Sequence, residues 1–133
     1  MDHITYRTDA SISPQQLAEL YRSAGLRRPV DDLDRMARML KHANLIVSAW
    51  WEDSLIGVAR SLTDFSYACY LSDLAVRKED QHRGIGRRLI ECVREAIGPQ
   101  SMLLLLAAPE AMAYYPKTGF EPVANGWMIK RSA

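Results

Sequence analysis

Apolar and polar positions follow two different periods along this chain, and the switches between them mark out its elements. Ile4 to Arg7 reads as a first strand. Ser13-Pro14-Gln15-Gln16 then sets a capping serine, a proline at the first helical position and a glutamine three residues after the serine, which together start a helix. Leu17, Leu20, Tyr21 and Ala24 share one face of it, and Gly25 suits its C-cap. Beyond the connector Arg27-Arg28-Pro29, Asp31 or Asp32 can cap a second helix with Leu33, Met36, Ala37 and Leu40 inward. Leu45 to Trp51 and Leu55 to Thr63 read as strands of a hairpin joined by the polar turn Glu52-Asp53-Ser54. Asp64-Phe65-Ser66 turns the chain into another strand, Tyr67 to Val76.

From Ile85 the period returns to that of a helix. Ile85, Leu89, Val93 and Ile97 recur every four residues, with Arg87, Arg88, Glu91, Arg94 and Glu95 largely opposite, until Gly98-Pro99 stops the pattern. Met102 to Ala107 is a continuous apolar run of strand length, as expected of a central strand covered on both faces. Pro109 opens a short helix through Tyr115, and Phe120 to Ile129 carries Asn125-Gly126 between apolar residues, a hairpin signal. The pattern by itself gives a mixed α/β domain, with neither repeat nor linker.

Composition narrows the classes of function. With 133 residues and 48% hydrophobic content the chain suits one domain with one core, spanning 1–133. Seventeen basic against sixteen acidic residues give a net charge of +1, so no global field draws it to nucleic acid or an anionic membrane. The longest apolar stretch is far too short to span a bilayer, and Met1 to Arg7 lacks the apolar region of a signal peptide, so a cytoplasmic location is expected. Cys69 and Cys92 form neither a metal spacing nor a disulfide framework and read as buried small hydrophobes. His3, His42 and His82 are too scattered for a metal site, and no metal is expected.

Candidate chemistry concentrates between the last hairpin strand and the amphipathic helix. There the chain carries Gln81-His82-Arg83-Gly84-Ile85-Gly86. Two glycines one residue apart let backbone N–H groups at a helix start approach an anion, and the helix dipole favours a phosphate there. The Gly-Lys-Ser/Thr of nucleotide triphosphatases and the triple glycine of dinucleotide folds are both missing. Gln-x-x-Gly-x-Gly after a strand, followed about thirty residues on by Tyr114-Tyr115-Pro116-Lys117-Thr118-Gly119-Phe120, resembles the GNAT superfamily of acetyl-CoA-dependent N-acetyltransferases.

The resemblance covers nearly the whole chain and implies a single α/β domain with a mixed central sheet, helices on both faces and the order β-α-α-β-β-β-α-β-α-β-β. It implies acetyl-CoA as cosubstrate. Backbone groups of Leu74, Ala75 and Val76 would pair with the pantetheine arm as a further strand does. The pyrophosphate would sit on the amides of His82, Arg83, Gly84, Ile85, Gly86 and Arg87, with Gln81 closing the turn. Tyr115 matches the tyrosine that protonates the leaving thiolate, a transfer that is downhill from a phenol to a thiolate. The rival role for Tyr115 is a core tyrosine, and Tyr114 and Phe120 are read as packing.

The base is the weak point of the match. Strict alternation puts Tyr70, Ser72 and Leu74 on one face of their strand and Leu71, Asp73 and Ala75 on the other. Base positions in the family share the face of Tyr70 and Ser72, neither of which is a useful base, and Asp73 has the wrong parity. The alternatives are a water chain lined by Tyr70 and Ser72, or an amine that arrives deprotonated. The family's frequent asparagine after the fifth strand is replaced by Ala107-Ala108-Pro109. Asp64 could bind an acceptor ammonium, although a turn aspartate more often caps its own backbone. Trp50, Trp51 and Trp127 could line an acceptor pocket, with packing the commoner role. The function expected is acetyl transfer to a small-molecule or peptide amine by direct attack, and the alternative is a non-catalytic acyl-CoA-binding sensor or interaction module. Exposed ends of such sheets often pair, so a homodimer is a further expectation.

Overall fold

A computed structural model describes residues 3–133. Five strands form one sheet in sequence order: β1 (Thr5–Arg7), β2 (Leu45–Trp51), β3 (Ser54–Thr63), β4 (Ala68–Val76) and β5 (Met102–Leu104). The first four are antiparallel neighbours, and β5 joins β4 in parallel. Helices α1 (Pro14–Ala24) and α2 (Leu33–His42) cover one face and α3 (Ile85–Ile97) the other. This is the mixed α/β sheet with helices on both faces that the family resemblance implies.

Local signals account for most boundaries. Ser13 Oγ accepts the Gln16 amide while the Gln16 side chain accepts the Ser13 amide, so the capping box closes, and Gly25 takes a left-handed C-cap at φ 75°. Of the two candidate caps for α2, Asp32 makes the bond, to the Arg35 amide. Met36 is buried there, whereas Leu33, expected inward, stays exposed in the first turn. The β2–β3 hairpin closes through Glu52-Asp53, with Glu52 at φ 55°. Ile85, Leu89, Val93 and Ile97 are all buried under β2, β3 and β4. Gly57 on β3 lets α3 close in: a Cβ there would lie 3.2 Å from Leu89 and 3.3 Å from Ile85.

The end of the chain departs from the reading. Residues 109–115 form no α-helix; two 3-10 turns, Pro109–Ala111 and Tyr115–Thr118, stand there and just beyond. So short a segment cannot repay the cost of nucleating an α-helix. Met102–Leu104 is an edge strand, not a central one covered on both faces. The hairpin expected over Phe120 to Ile129 is also not formed: no strand follows β5 among the described residues. A two-stranded ribbon with no sheet beside it is marginal in water, and here it does not reach β5.

Alternation on β4 also fails, at one place. The register steps from Arg60↔Asp73 to Ser61↔Leu71, so Ser72 is an extra residue, a β-bulge. Cys69 and Leu71 pack with α3, and beyond the bulge it is Leu74 and Val76 that do so. Asp73 and Ala75 therefore turn to the α1 face, which corrects the parity predicted for Asp73. Its fully buried carboxylate accepts from Tyr21 Oη on α1 (2.7 Å), Arg60 Nε on β3 (2.5 Å), Arg28 Nε in the α1–α2 connector (2.6 Å) and Ser72 Oγ (3.1 Å). Burial pushes the Asp73 carboxyl up, but the hydrogen bond and charge of Arg60, the charge of Arg28 and the Tyr21 hydroxyl outweigh it and hold it below the ordinary carboxylate value.

Removing that charge leaves two guanidiniums without their counter-ion, one of them on the buried Arg60. Asp73→Asn is expected to cost about 3–5 kcal/mol, read as a lowered urea midpoint at unchanged slope. Because the folded carboxyl lies below its unfolded value, its stabilisation is full above pH ~4 and lost as pH falls through the folded value. Wild type should thus lose more stability than Asp73→Asn between pH 5 and 2 in acid titrations followed by circular dichroism, by at most about 2.6 kcal/mol.

Candidate functional site

A cleft of about 270 Å³ opens where β4 and β5 part. The two strands pair only over Ala68–Tyr70 and Met102–Leu104. Past Tyr70 the cleft is lined by Leu71, Ser72, Leu74, Ala75 and Val76 of β4, by Leu105, Leu106, Ala108, Ala111 and Tyr115 from beyond β5, and by Gly25, Leu26 and Arg28 of the α1–α2 connector. Strands that diverge leave backbone groups without a ladder partner.

Which groups these are follows from the bonds at either end. The Arg77 amide donates across to Ile56 on β3, so by alternation Asp73 and Ala75 also turn their backbone to β3. Ser72, Leu74 and Val76 turn theirs to the cleft. The Ser72 carbonyl accepts from Arg28 Nη2 (2.8 Å) and the Val76 carbonyl from Gln81 Nε2 (2.9 Å). Leu74, between them, presents its N–H and C=O. Of the three residues read from the sequence, Leu74 and Val76 thus have cleft-facing backbone, while Ala75 lines the cleft with its main chain in the ladder.

The same Gln81 contact ties the glycine loop to the end of β4. Asp80, buried, anchors the loop's base by accepting from Arg77 Nε (2.7 Å), and the Lys78 amide donates to Ser23 Oγ of α1 (3.0 Å). His82 and Gly84 both adopt positive φ, 66° and 81°, and this double turn delivers the chain into α3. Gly84 is the N-cap and brings no capping side chain, so the first-turn amides of Ile85, Gly86 and Arg87 meet no side-chain acceptor. Arg83 and Arg87 are exposed beside them, and Arg88 is spent on Glu91 and Glu95 with its guanidinium over the Tyr6 ring. A Cβ at Gly86 would lie 3.2 Å from the Tyr114 hydroxyl and 3.9 Å from Val76. The loop, the end of β4 and Tyr114 thus close on one point.

Tyr115 lines the cleft with its ring edge-on to Tyr114 (5.2 Å) and Phe120 (5.5 Å). Burial, then the neighbouring Tyr114, raises its hydroxyl above the ordinary phenol value, so it stays a proton donor at any physiological pH. Among the described residues, Arg28 and Tyr115 are the ionisable side chains on the cleft wall. Ser72 reaches it too, with its hydroxyl engaged by Arg60 and Asp73.

Other candidates lie apart. Asp64 Oδ1 accepts the amides of Ser66, Tyr67 and Ala68, which cap its own turn and, led by the Tyr67 bond, lower its carboxyl pKa. Tyr70 sits in the paired part of β4, and neither it nor Trp50, Trp51 or Trp127 lines the cleft. Arg28 was overlooked in the sequence because a cation next to proline in a polar connector looks like any solvated arginine. The carboxylate that draws it in is 45 residues away along the chain.

Comparison with known proteins agrees with this geometry. The family model described as an acetyltransferase (GNAT) domain matches residues 9–127. An uncharacterised N-acetyltransferase of Porphyra purpurea is 29% identical over 119 residues, covering 83% of this chain and 66% of its own length. The chain thus spans about two thirds of the curated relative it matches. In fold it is similar to a protein of unknown function from meticillin-resistant Staphylococcus aureus described as a probable acetyltransferase (TM-score 0.82, 24% identity, 97% of this chain and 100% of that one). It is also similar to an aminoglycoside N-acetyltransferase in complex with CoA (TM-score 0.72, 17% identity, 98% and 96%). A splayed β4–β5 cleft, a double-glycine turn into α3 and a family match over most of the chain lead to one conclusion: the chain belongs to the GNAT acetyltransferase family.

Proposed function

We propose that this chain transfers an acetyl group from acetyl-CoA to a primary amine by direct attack, with Tyr115 as the acid that returns a proton to the coenzyme sulfur. The observation that carries the reading is the cleft: Leu74, Tyr115 and Gln81 line one groove, and Gln81 Nε2, bonded to the Val76 carbonyl, ties the glycine loop to its end. The residues fit an extended thioester. Leu74 offers the N–H and C=O of an unpaired strand residue to a pantetheine arm, and Ile85, Gly86 and Arg87 offer amides to a pyrophosphate. Gly86 is the cradle, since a side chain there would strike Tyr114.

Catalysis then rests on holding both substrates in one groove and on proton traffic at Tyr115. The amine nitrogen bonds to the thioester carbon, the carbon–sulfur bond breaks, the departing sulfur takes the Tyr115 proton, the amine's surplus proton leaves to solvent, and the Tyr115 phenolate regains a proton from solvent. Asp73 does not serve as the base: its carboxylate already accepts from Tyr21, Arg28, Arg60 and Ser72 and is inaccessible. The acceptor therefore enters as the free amine, or through water alongside Ser72. Its identity is set by the connector at the cleft margin, Gly25 to Arg28, more than by Asp64.

Tyr115→Phe should lower turnover about 100-fold with acetyl-CoA affinity kept, measured by free-thiol release against an amine panel and by calorimetry. Turnover equal to wild type removes Tyr115 from the chemistry. Gly84→Asp, at a positive φ that Asp tolerates better than most residues, sets a carboxylate beside the amides and should weaken acetyl-CoA binding at least ~10-fold without unfolding the chain. Firm acetyl-CoA binding with no thiol release from any amine would move the reading to the acyl-CoA sensor.

A further inference from the structure

Asp73 has more positive partners than its charge requires. The Arg60 guanidinium alone balances it, and Tyr21 and Ser72 supply further donors to its oxygens. Arg28 brings a second guanidinium to the same carboxylate, so among the described residues the cluster keeps one positive charge in surplus. A charge held partly out of water and left unbalanced is costly unless a partner repays it. The Arg60 side chain is 9% exposed, whereas that of Arg28 is 28% exposed and lines the cleft, so the surplus is presented there. Among the described residues no carboxylate lines the cleft to offset it.

Arg28 is also held still. Its Nε donates to Asp73 Oδ1 (2.6 Å), its Nη1 to the Arg27 carbonyl (2.6 Å) and its Nη2 to the Ser72 carbonyl (2.8 Å). Three of its five N–H groups are spent in this way, and one remains on each Nη. A guanidinium so fixed loses little freedom on taking a ligand, and its remaining donors suit the oxygens of a carboxylate or phosphate. We infer that Arg28 selects the acceptor: the amine acetylated by this chain is a small molecule that carries its own carboxylate or phosphate, and Arg28 grips that anion while the amine reaches the thioester. The inference rests on the acetyl transfer proposed above and names its substrate class. Gln81 and Val76 mark the glycine-loop end of the cleft, and Arg28 is tied at Ser72, toward the other end, with Leu74 between. Two strand residues span roughly 7 Å, so amine and anion belong to one compact molecule. A purely cationic amine meets the surplus charge and is repelled.

Two matched pairs of acceptors test this by free-thiol release: β-alanine against its amide, and phosphoethanolamine against ethanolamine. Wild type is expected to favour the anionic member of at least one pair by about 10-fold or more in kcat/KM. That preference runs against intrinsic reactivity, because a nearby anion keeps more of the amine protonated. Arg28→Gln, neutral and with a donor left for the Ser72 carbonyl, is expected to bring the ratio close to one while acetyl-CoA affinity, by calorimetry, is kept. An Arg28 that only props the connector would lower both members of a pair alike, and that outcome overturns the inference. So does a wild type that favours neutral or cationic amines, or makes no distinction; acetyl transfer itself then stands. No thiol release from these or any other amines, with acetyl-CoA firmly bound, overturns both. Should Arg28→Gln misfold, Arg28→Lys decides: it keeps the charge and loses the fork, so the ratio must fall below the wild-type value, and an unchanged ratio overturns the inference.

Discussion

A single buried carboxylate organises this molecule. Asp73 receives hydrogen bonds from α1, β3, the α1–α2 connector and its own strand, so the elements on one side of the sheet are pinned to one pair of oxygens. A buried charge survives only when its partners compensate the lost water, and here two guanidiniums, a phenol and a serine hydroxyl do so. Those partners come from positions 21, 28, 60 and 72, so the compensation exists only in the assembled fold. The connector that forms one cleft margin is therefore tied through Arg28 to the buried carboxylate, although Arg28 is itself partly open to solvent.

The bulge at Ser72 is what makes this possible. Were Ser72 paired in regular alternation, Asp73 would sit on the α3 face among aliphatic side chains, and the backbone of Leu74 would point into the β3 ladder. One inserted residue turns the carboxylate toward its partners and the Leu74 peptide toward the cleft. Structural and functional demands on β4 are thus met by the same irregularity, an instance of the association of bulges with sites.

Much of this was legible in the sequence, and what was not has a common cause. The capping box at Ser13, the β2–β3 hairpin, the buried stripe of α3 and the glycine loop depend on residues within a few positions of one another, and local patterns report them faithfully. The β4 bulge is invisible to a period-two pattern, because Leu71 and Leu74 are both apolar and either parity looks regular. That error displaced Asp73 and hid Tyr21, Arg28 and Arg60, whose importance depends on a partner far off in sequence. The C-terminal hairpin failed for the opposite reason: Asn125-Gly126 is a sound turn signal, but a turn needs strands with something to lie against. Tyr114 was read as packing, and only the folded chain brings its hydroxyl over Gly86.

The tight seat of α3 on Gly57 carries an implication for how this site can change. Helix and sheet meet there with no room for a methyl group to spare, so the start of α3 is referenced to the floor of the sheet and not to the loop that precedes it. Enlarging residue 57 would press on Leu89 and Ile85 and, on the proposed function, would disturb the coenzyme-holding amides of α3 from beneath, at a position that does not line the cleft. Variants selected for weaker or retuned cofactor retention should accordingly surface in the sheet interior as readily as in the glycine turn.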